Sequence, residues 1–201
     1  RAFESDHVDA FFGRGADTAR LIDRVRVGIS EQRRLHTLIG TAGSGASSLG
    51  RAGLVPTLRR HGLGDGRDWS MLTLRDADAP LRSLAAAVLD VVGADPDPTL
   101  VEQMLNDSSA LHNTIVHRLG DERLLILVDQ VEEVLAQLQA ARRGGDAAYV
   151  DACKACFANL NYAARAARGP VTVLLTVRAD HLHRLLTLDV TLNDAISHGQ
   201  M

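Results

Sequence analysis

One nine-residue segment combines glycines and small hydroxyl side chains in a spacing that could hold phosphate. Its sequence is Gly40-Thr41-Ala42-Gly43-Ser44-Gly45-Ala46-Ser47-Ser48, which fits the pattern G-x-x-x-x-G-K-[ST] everywhere except at the lysine. Glycines let successive backbone N–H groups turn towards one anion, and the Ser47 hydroxyl could reach a magnesium ion. Ala46 offers no charge to the β- and γ-phosphates. We therefore predict a nucleotide-binding loop with impaired or absent turnover, whose binding residues are Gly40, Gly43, Ser44, Gly45, Ala46, Ser47 and Ser48.

A second segment could supply the acidic groups that such a site needs. The aliphatic run 124–128 precedes Asp129, which is typical of a buried strand that ends in an acid at the ligand-binding edge of a parallel sheet. Asp129 is predicted to bind magnesium together with Ser47. Glu132 and Glu133 follow, and one of them could orient or deprotonate an attacking water. An ordinary core strand followed by an acidic first helical turn would explain the same pattern without catalysis.

The flanking sequence provides elements that could position both segments. A short apolar run over 35–39 predicts a strand before the loop, and 47–60 predicts a helix whose N-terminus points at the phosphate. Strands and helices then alternate, which is typical of a parallel sheet with helices on both faces. The other predicted elements are strands over 69–74, 123–129 and 171–177 and helices over 17–27, 80–92, 99–119, 132–142, 146–167 and 181–187.

Four motifs in this order resemble those of one family of nucleotide-dependent switches. They are Phe11-Phe12-Gly13-Arg14, the stretch 47–56 after the loop, Asp129-Gln130-Val131-Glu132-Glu133, and the strand 174–180 that contains Arg178. Together they resemble the signal-transduction NTPases with numerous domains (STAND), in particular a bacterial branch found in multidomain regulatory and defence proteins. The resemblance extends over nearly the whole chain.

The resemblance implies an α/β fold of the P-loop NTPase (ASCE) type, a three-layer sandwich around a mostly parallel sheet. An N-terminal motif and helix would occupy 1–34, and the NTPase core 35–201. Phe12, Gly13 and Arg14 would lie against the base and sugar, and Arg178 would sense the γ-phosphate. Gly15 stands where the family usually has an acidic residue. The sequence stops where the family's fifth strand and lid would begin, so we expect a fragment of a larger protein.

Composition excludes several other classes. A net charge of −3 and 3% aromatic residues give no indication of nucleic-acid binding. A content of 46% hydrophobic residues is typical of one globular domain. Because no apolar run is long enough to span a bilayer and no secretory signal is present, we expect no membrane partner and a cytoplasmic location. Cys153 and Cys156 lack a second cysteine pair, so we interpret them as packing residues of a helix rather than a zinc or redox site.

Two functions remain open. In the first, the chain is a switch domain that binds ATP or ADP with Mg²⁺ and hydrolyses it slowly or not at all. It would contact the effector and sensor domains of its parent protein and form a homo-oligomer in that full-length protein. In the second, it is a scaffold for protein contacts that no longer uses nucleotide. Ser47, Asp129 and Arg178 favour the first function, and Ala46 favours the second. A metabolic kinase fits less well, because no substrate pocket is apparent.

Overall fold

A parallel sheet forms the centre of the chain. The computed structural model describes residues 14–41 and 43–187, so Phe12 and Gly13 of the N-terminal motif lie outside the described residues. Within them the sheet has four strands in the order β1-β4-β3-β2, and every neighbouring pair is parallel. The strands are β1 (Leu35–Gly40), β2 (Trp69–Leu74), β3 (Arg123–Val128) and β4 (Val171–Arg178).

Helices cover both faces of this sheet. They are α1 (Gly15–Ser30), α2 (Ala46–Ser48), α3 (Val55–His61), α4 (Pro80–Val91), α5 (Thr99–Asn106), α6 (Ala110–Leu119), α7 (Val131–Gly144), α8 (Ala147–Arg165) and α9 (Leu182–Leu186). A π-helix (Leu49–Leu54) joins α2 to α3, and a 3₁₀ turn (Ala179–His181) precedes α9. Local sequence sets several boundaries: Pro80 opens α4, and the Asp146 carboxylate accepts a hydrogen bond from the Tyr149 backbone N–H at the start of α8.

The alternation of side chains along β3 divides the core into two layers. Leu125 and Leu127 pack with apolar residues of α1, the π-helix and α3, whereas Leu124, Ile126 and Val128 pack with those of α4 to α8. Since both faces of β3 are buried, the strand is aliphatic throughout, as expected for a parallel sheet between helical layers. The predicted α/β sandwich with a parallel sheet is confirmed.

The prediction of one continuous helix over 99–119 is wrong. The segment 99–119 forms two helices, α5 and α6, because Asp107 leaves the helical region with φ −140° and ψ 115°. Its carboxylate accepts hydrogen bonds from both the backbone N–H and the hydroxyl of Ser109, each at 2.8 Å. A short polar side chain that satisfies local backbone groups competes with the helix in this way. The apolar periodicity of the sequence on either side of Asp107 gives no sign that the helix ends there.

The two cysteines lie in the apolar core of α8. Cys153 and Cys156 are both buried, and both belong to the cluster that covers the α4–α8 face of the sheet, as the packing interpretation predicted. Within residues 14–41 and 43–187, no group of three or more His, Cys, Asp or Glu side chains could hold a metal ion. Over the same residues, no helix is both long and apolar enough to cross a bilayer.

Candidate functional site

The carboxyl edge of the sheet brings most of the predicted site residues together. Gly40 of β1 is the register partner of Arg178 of β4, so the loop after β1 begins beside the end of β4. A cavity of about 580 Å³ opens at this edge. Its lining consists of Gly40, Thr41, Gly43, Ser44, Gly45, Ala46, Ser47, Ser48, Gln130, Glu132, Glu133, Thr176, Val177 and Arg178.

The loop after β1 has the tight backbone that the glycine pattern predicts. Gly43 and Gly45 adopt left-handed conformations with φ of 77° and 82°, which only glycine adopts at little cost. A Cβ at Gly40 would clash with the Ser44 hydroxyl and lie 2.9 Å from the Ala46 Cβ. The helical run from Ala46 to His61 begins directly after Gly45. The backbone N–H groups of its first turn make the loop suitable for an anion.

Arg14 lies against this loop from the N-terminal side. Its guanidinium donates a hydrogen bond to the Ser44 carbonyl oxygen, and a Cβ on Gly45 would lie 3.4 Å from its Nη1. The Asp17 carboxylate is 3.9 Å from Arg14 Nε. The arginine of the N-terminal motif therefore contacts the backbone of the phosphate loop. Its contact with a base or sugar stays a prediction.

A π-helix follows the loop where the sequence predicts plain α-helix. It spans six residues, Leu49–Leu54, all of which are buried. Gly50 faces the sheet, since a Cβ there would come within 3.3 Å of Leu127 Cδ1. Arg51 is buried in the same segment, with 5% of its side chain exposed. Single π-helical turns within helices are often found at functional sites, and this one directs a charged side chain into the interior beside the loop.

Arg51 reaches the predicted magnesium ligand. The Asp129 carboxylate is fully buried, and its Oδ2 lies 3.2 Å from Arg51 Nε and 3.5 Å from Arg75 Nε. Its Oδ1 accepts a hydrogen bond of 2.6 Å from the Thr176 hydroxyl. We call Asp129, Arg51, Arg75 and Thr176 the Asp129 cluster. Within it, one carboxylate is matched by two guanidinium groups.

The sheet register explains three members of this cluster. Leu74 of β2 pairs with Val128 of β3, and Val128 pairs with Leu175 of β4. The next residues along each strand are Arg75, Asp129 and Thr176, which therefore lie side by side across the sheet. Sequence analysis missed Arg75, Thr176 and Arg51. An arginine directly after β2 and the one arginine within the otherwise apolar stretch Leu49–Leu54 were the signals that could have identified two of them.

The cluster bears on the predicted magnesium site. Asp129 does not line the cavity, and both of its oxygens already contact side chains of the described residues. Ser47, in contrast, lines the cavity. The residues present thus fit a phosphate group at the loop, but they do not offer Asp129 to a metal ion beside Ser47. Its role as a metal ligand stays a prediction.

The other predicted acids face the cavity. Glu132 Oε2 accepts a hydrogen bond of 3.3 Å from the Arg178 backbone N–H, and the exposed Glu133 lies one residue further along α7. Between Asp129 and α7, Gln130 adopts a left-handed conformation with φ 61°, which is uncommon outside glycine and is concentrated at functional sites. Its side-chain oxygen accepts a hydrogen bond of 2.8 Å from Arg75 Nη2. The turn after β3 thereby connects the Asp129 cluster to the cavity wall.

Arg178, the predicted phosphate sensor, is held by a neighbouring acid. Its Nε and Nη2 donate to the two carboxylate oxygens of Asp180 at 3.1 Å and 2.7 Å. This paired hydrogen bond raises the pKa of Arg178 and lowers the pKa of Asp180. The Arg178 side chain is 45% exposed, so this ion pair lies at the rim of the cavity rather than in the interior.

A glycine-rich loop between a first strand and a helix, at the carboxyl edge of a parallel sheet, defines the P-loop NTPase class of folds. A family comparison then specifies the branch: the chain belongs to the family Novel STAND NTPase 1, whose model matches residues 1–201. The resemblance deduced from the motifs is therefore confirmed. The search of curated proteins returned no match.

A solved structure supports the fold. The structure of the ORC2 protein from Aeropyrum pernix, in complexes with ADPNP and ADP, matches with a TM-score of 0.61 at 14% sequence identity. The alignment covers 91% of this chain and 46% of the ORC2 chain, so the present chain spans less than half of that protein. At this identity, the likeness concerns the fold alone.

Proposed function

We propose that this chain is the nucleotide-binding switch domain of a multidomain STAND NTPase and that its loop holds the phosphates of ATP or ADP. The cavity at the carboxyl edge of the sheet carries the proposal, because the loop, two acids and an arginine converge on it. The ORC2 structure was determined with ADPNP and ADP, which favours an adenine nucleotide here too.

Ala46 limits what the site does with nucleotide. The loop retains its glycine conformations and the helix N-terminus behind it, so it keeps backbone donors for phosphate. One charge-assisted contact contributes about 1.5–3 kcal/mol, and its loss weakens affinity about ten- to a hundred-fold. Loss of one preorganised donor slows a chemical step by about 10²–10³. Nucleotide binding therefore survives more readily than hydrolysis.

In this proposal, fewer residues are available to bind magnesium than the sequence predicts. Ser47 supplies a hydroxyl at the cavity wall, and an ion bound there would neutralise phosphate charge. Asp129 joins such a site only by leaving Arg51 and Arg75, at the cost of exposing buried charge. Glu132 and Glu133 remain candidates for orienting water, and Arg178 for contacting the terminal phosphate. In the parent protein, effector and sensor domains and further copies of the chain are the proposed partners, in the cytoplasm.

Two observations favour the alternative, a scaffold that does not use nucleotide. Ala46 removes the charge from the loop, and the Asp129 carboxylate is already matched by two guanidinium groups. A domain of this kind would keep the fold as a platform for protein contacts. The two proposals differ in whether the loop binds phosphate at all.

Calorimetric titration with ATP, once with magnesium and once with EDTA, separates these proposals. We expect weak, saturable binding, with phosphate release near the buffer background. The matched control is Gly40→Val, which places a side chain against Ser44 and Ala46 and should abolish the binding. Submicromolar affinity with steady turnover would contradict the proposed impairment. If Gly40→Val does not change the heats of ATP binding, ATP binds at a site other than the loop.

A further inference from the structure

Arg178 is placed to contact a ligand at the loop. It ends β4 directly beside Gly40, its register partner on β1, and it lines the cavity. Its backbone N–H donates to Glu132 Oε2, which ties the end of β4 to the first turn of α7. With its backbone fixed and its side chain 45% exposed, the guanidinium can change partners without unfolding the strand.

In the described structure, however, that guanidinium is already paired with a carboxylate side chain. Asp180 lies two residues further on, in the 3₁₀ turn Ala179–His181, and both of its oxygens accept hydrogen bonds from the Nε and Nη2 side of Arg178. A carboxylate and a phosphate present oxygens to a guanidinium in the same forked geometry. A phosphate can therefore use this side of Arg178 only after Asp180 has left it.

We propose that Asp180 competes with the terminal phosphate of a nucleoside triphosphate for Arg178 and thereby sets the preference of the site for triphosphate over diphosphate. The inference rests on the proposed function, since it needs a nucleotide at the loop. A diphosphate lacks the group that would displace Asp180. The competition therefore weakens ATP binding and leaves ADP binding unchanged.

The surroundings of the pair are consistent with an exchange of partners. Asp180 is exposed, and the imidazole of His181 is also nearby, with Nε2 3.8 Å from Asp180 Oδ2. Once released, Asp180 would face solvent and would not be left buried and unpaired. An exposed ion pair contributes little to stability, so a bound phosphate can replace it at small cost.

The test compares Asp180→Asn with the unchanged chain by titration with ATP and with ADP. Each measurement is repeated in an Ala46→Lys background, where affinity is higher. We expect Asp180→Asn to tighten ATP binding about two- to five-fold relative to ADP, the range of one exposed ion pair. Asp180→Ser serves as a second neutral variant, and an unchanged urea midpoint verifies that both variants fold.

Arg178→Gln is the control that distinguishes competition for Arg178 from a general effect of removing a negative charge near the site. Removing any acid near an anion site favours anions somewhat, but an effect exerted through Arg178 must vanish in the Arg178→Gln background. An equal gain for ATP and ADP, or a gain that persists with Arg178→Gln, would overturn the inference. Weaker ATP binding by Asp180→Asn would also overturn it, because Asp180 would then be orienting the arginine. If no variant binds either nucleotide, even with Ala46→Lys, the proposed function fails as well.

Discussion

Asp129 and Arg178 form an instructive contrast within one sheet edge. Both follow or end neighbouring strands, both belong to motifs that the sequence singles out, and both are paired with groups of opposite charge. The Asp129 side chain is completely buried, whereas 45% of the Arg178 side chain is exposed. Asp129 is enclosed by the π-helix and the ends of β2 and β4, whereas Arg178 is paired at the cavity rim by a residue of its own turn.

The difference separates a charge that stabilises the fold from a charge that can respond to a ligand. Breaking a buried ion pair leaves an uncompensated charge in a medium of low polarity, so the Asp129 cluster is expected to resist change. Breaking an exposed pair returns both groups to water at little cost. Two residues that family resemblance assigns to one catalytic site should therefore behave in opposite ways when they are mutated.

The largest expected effect is on Asp129. Asp129→Ala removes the buried carboxylate that lies 3.2 Å from Arg51 Nε, so the free energy of unfolding should fall by about 3–5 kcal/mol. Urea denaturation measures this. Glu133→Ala removes an exposed acid from the same segment and should change the free energy of unfolding by less than about 0.5 kcal/mol. The contrast fails if the two variants are equally stable.

Coupling between Asp129 and Arg51 gives a sharper version of that prediction. If the two side chains stabilise the fold through each other, Arg51→Met should cost much less in an Asp129→Ala background than it does in the unchanged chain. Additive losses would mean that the two residues act separately and would remove the ion pair from the explanation.

The next largest effect concerns a buried base rather than a buried acid. His36 of β1 is 4% exposed, and its Nε2 has no hydrogen-bond partner among the residues the structure describes. Burial, together with the charge of Arg24, lowers the pKa of His36 from 6.5 to about 4. The unfolded chain therefore binds more protons between these two values. Stability is fully present above about pH 6.5 and is lost as the pH falls towards 4, by about 2–3 kcal/mol near pH 4.5.

His36→Leu isolates this contribution. Urea denaturation near pH 7 and near pH 4.5 should show a clearly smaller acid-induced loss in the variant than in the unchanged chain. The comparison cancels the other acids and bases, because they titrate in both proteins. Equal losses in the two proteins would show that His36 is protonated without penalty in the fold.

Ala46→Lys should have an intermediate effect, on binding rather than on folding. A lysine at this position places a cation at the phosphate loop, so ATP affinity should rise about ten- to a hundred-fold. Ala46→Gln is the control, because it adds a long side chain without the charge. Calorimetry measures both variants. An Ala46→Lys protein that binds no better than Ala46→Gln would indicate that the missing charge is not what limits the site.

The smallest effect is expected at the cavity rim. Arg178→Gln should leave the urea midpoint unchanged, because both partners of its ion pair already contact water. The same variant should weaken ATP binding while affecting ADP less. A substantial fall in the urea midpoint would place Arg178 with Asp129 among the residues that hold the fold together, and the contrast between the two would disappear.

Much of this arrangement could be predicted from the sequence, because its strongest signals are local. Glycine spacing predicts the tight backbone of the loop and an aliphatic run predicts β3, and the structure has both. The partners of Asp129 could not be predicted in the same way, because they depend on sheet order: Arg75 and Thr176 meet Asp129 only once β2 and β4 flank β3. The π-helix that buries Arg51 also has no simple periodicity, and the break at Asp107 depends on a side chain that competes with the backbone.

In our account, the loop of residues 40–48 binds nucleotide phosphate. Backbone amide shifts from nuclear magnetic resonance test it most directly, since phosphate binding acts on the loop N–H groups themselves. During titration of the Ala46→Lys protein with ATP, the largest changes should occur at Gly43, Gly45 and Ser47, with a smaller change at Arg178. Gly40→Val should abolish them. Saturating changes confined to another part of the chain, or none at millimolar ATP, would contradict the claim and favour the scaffold.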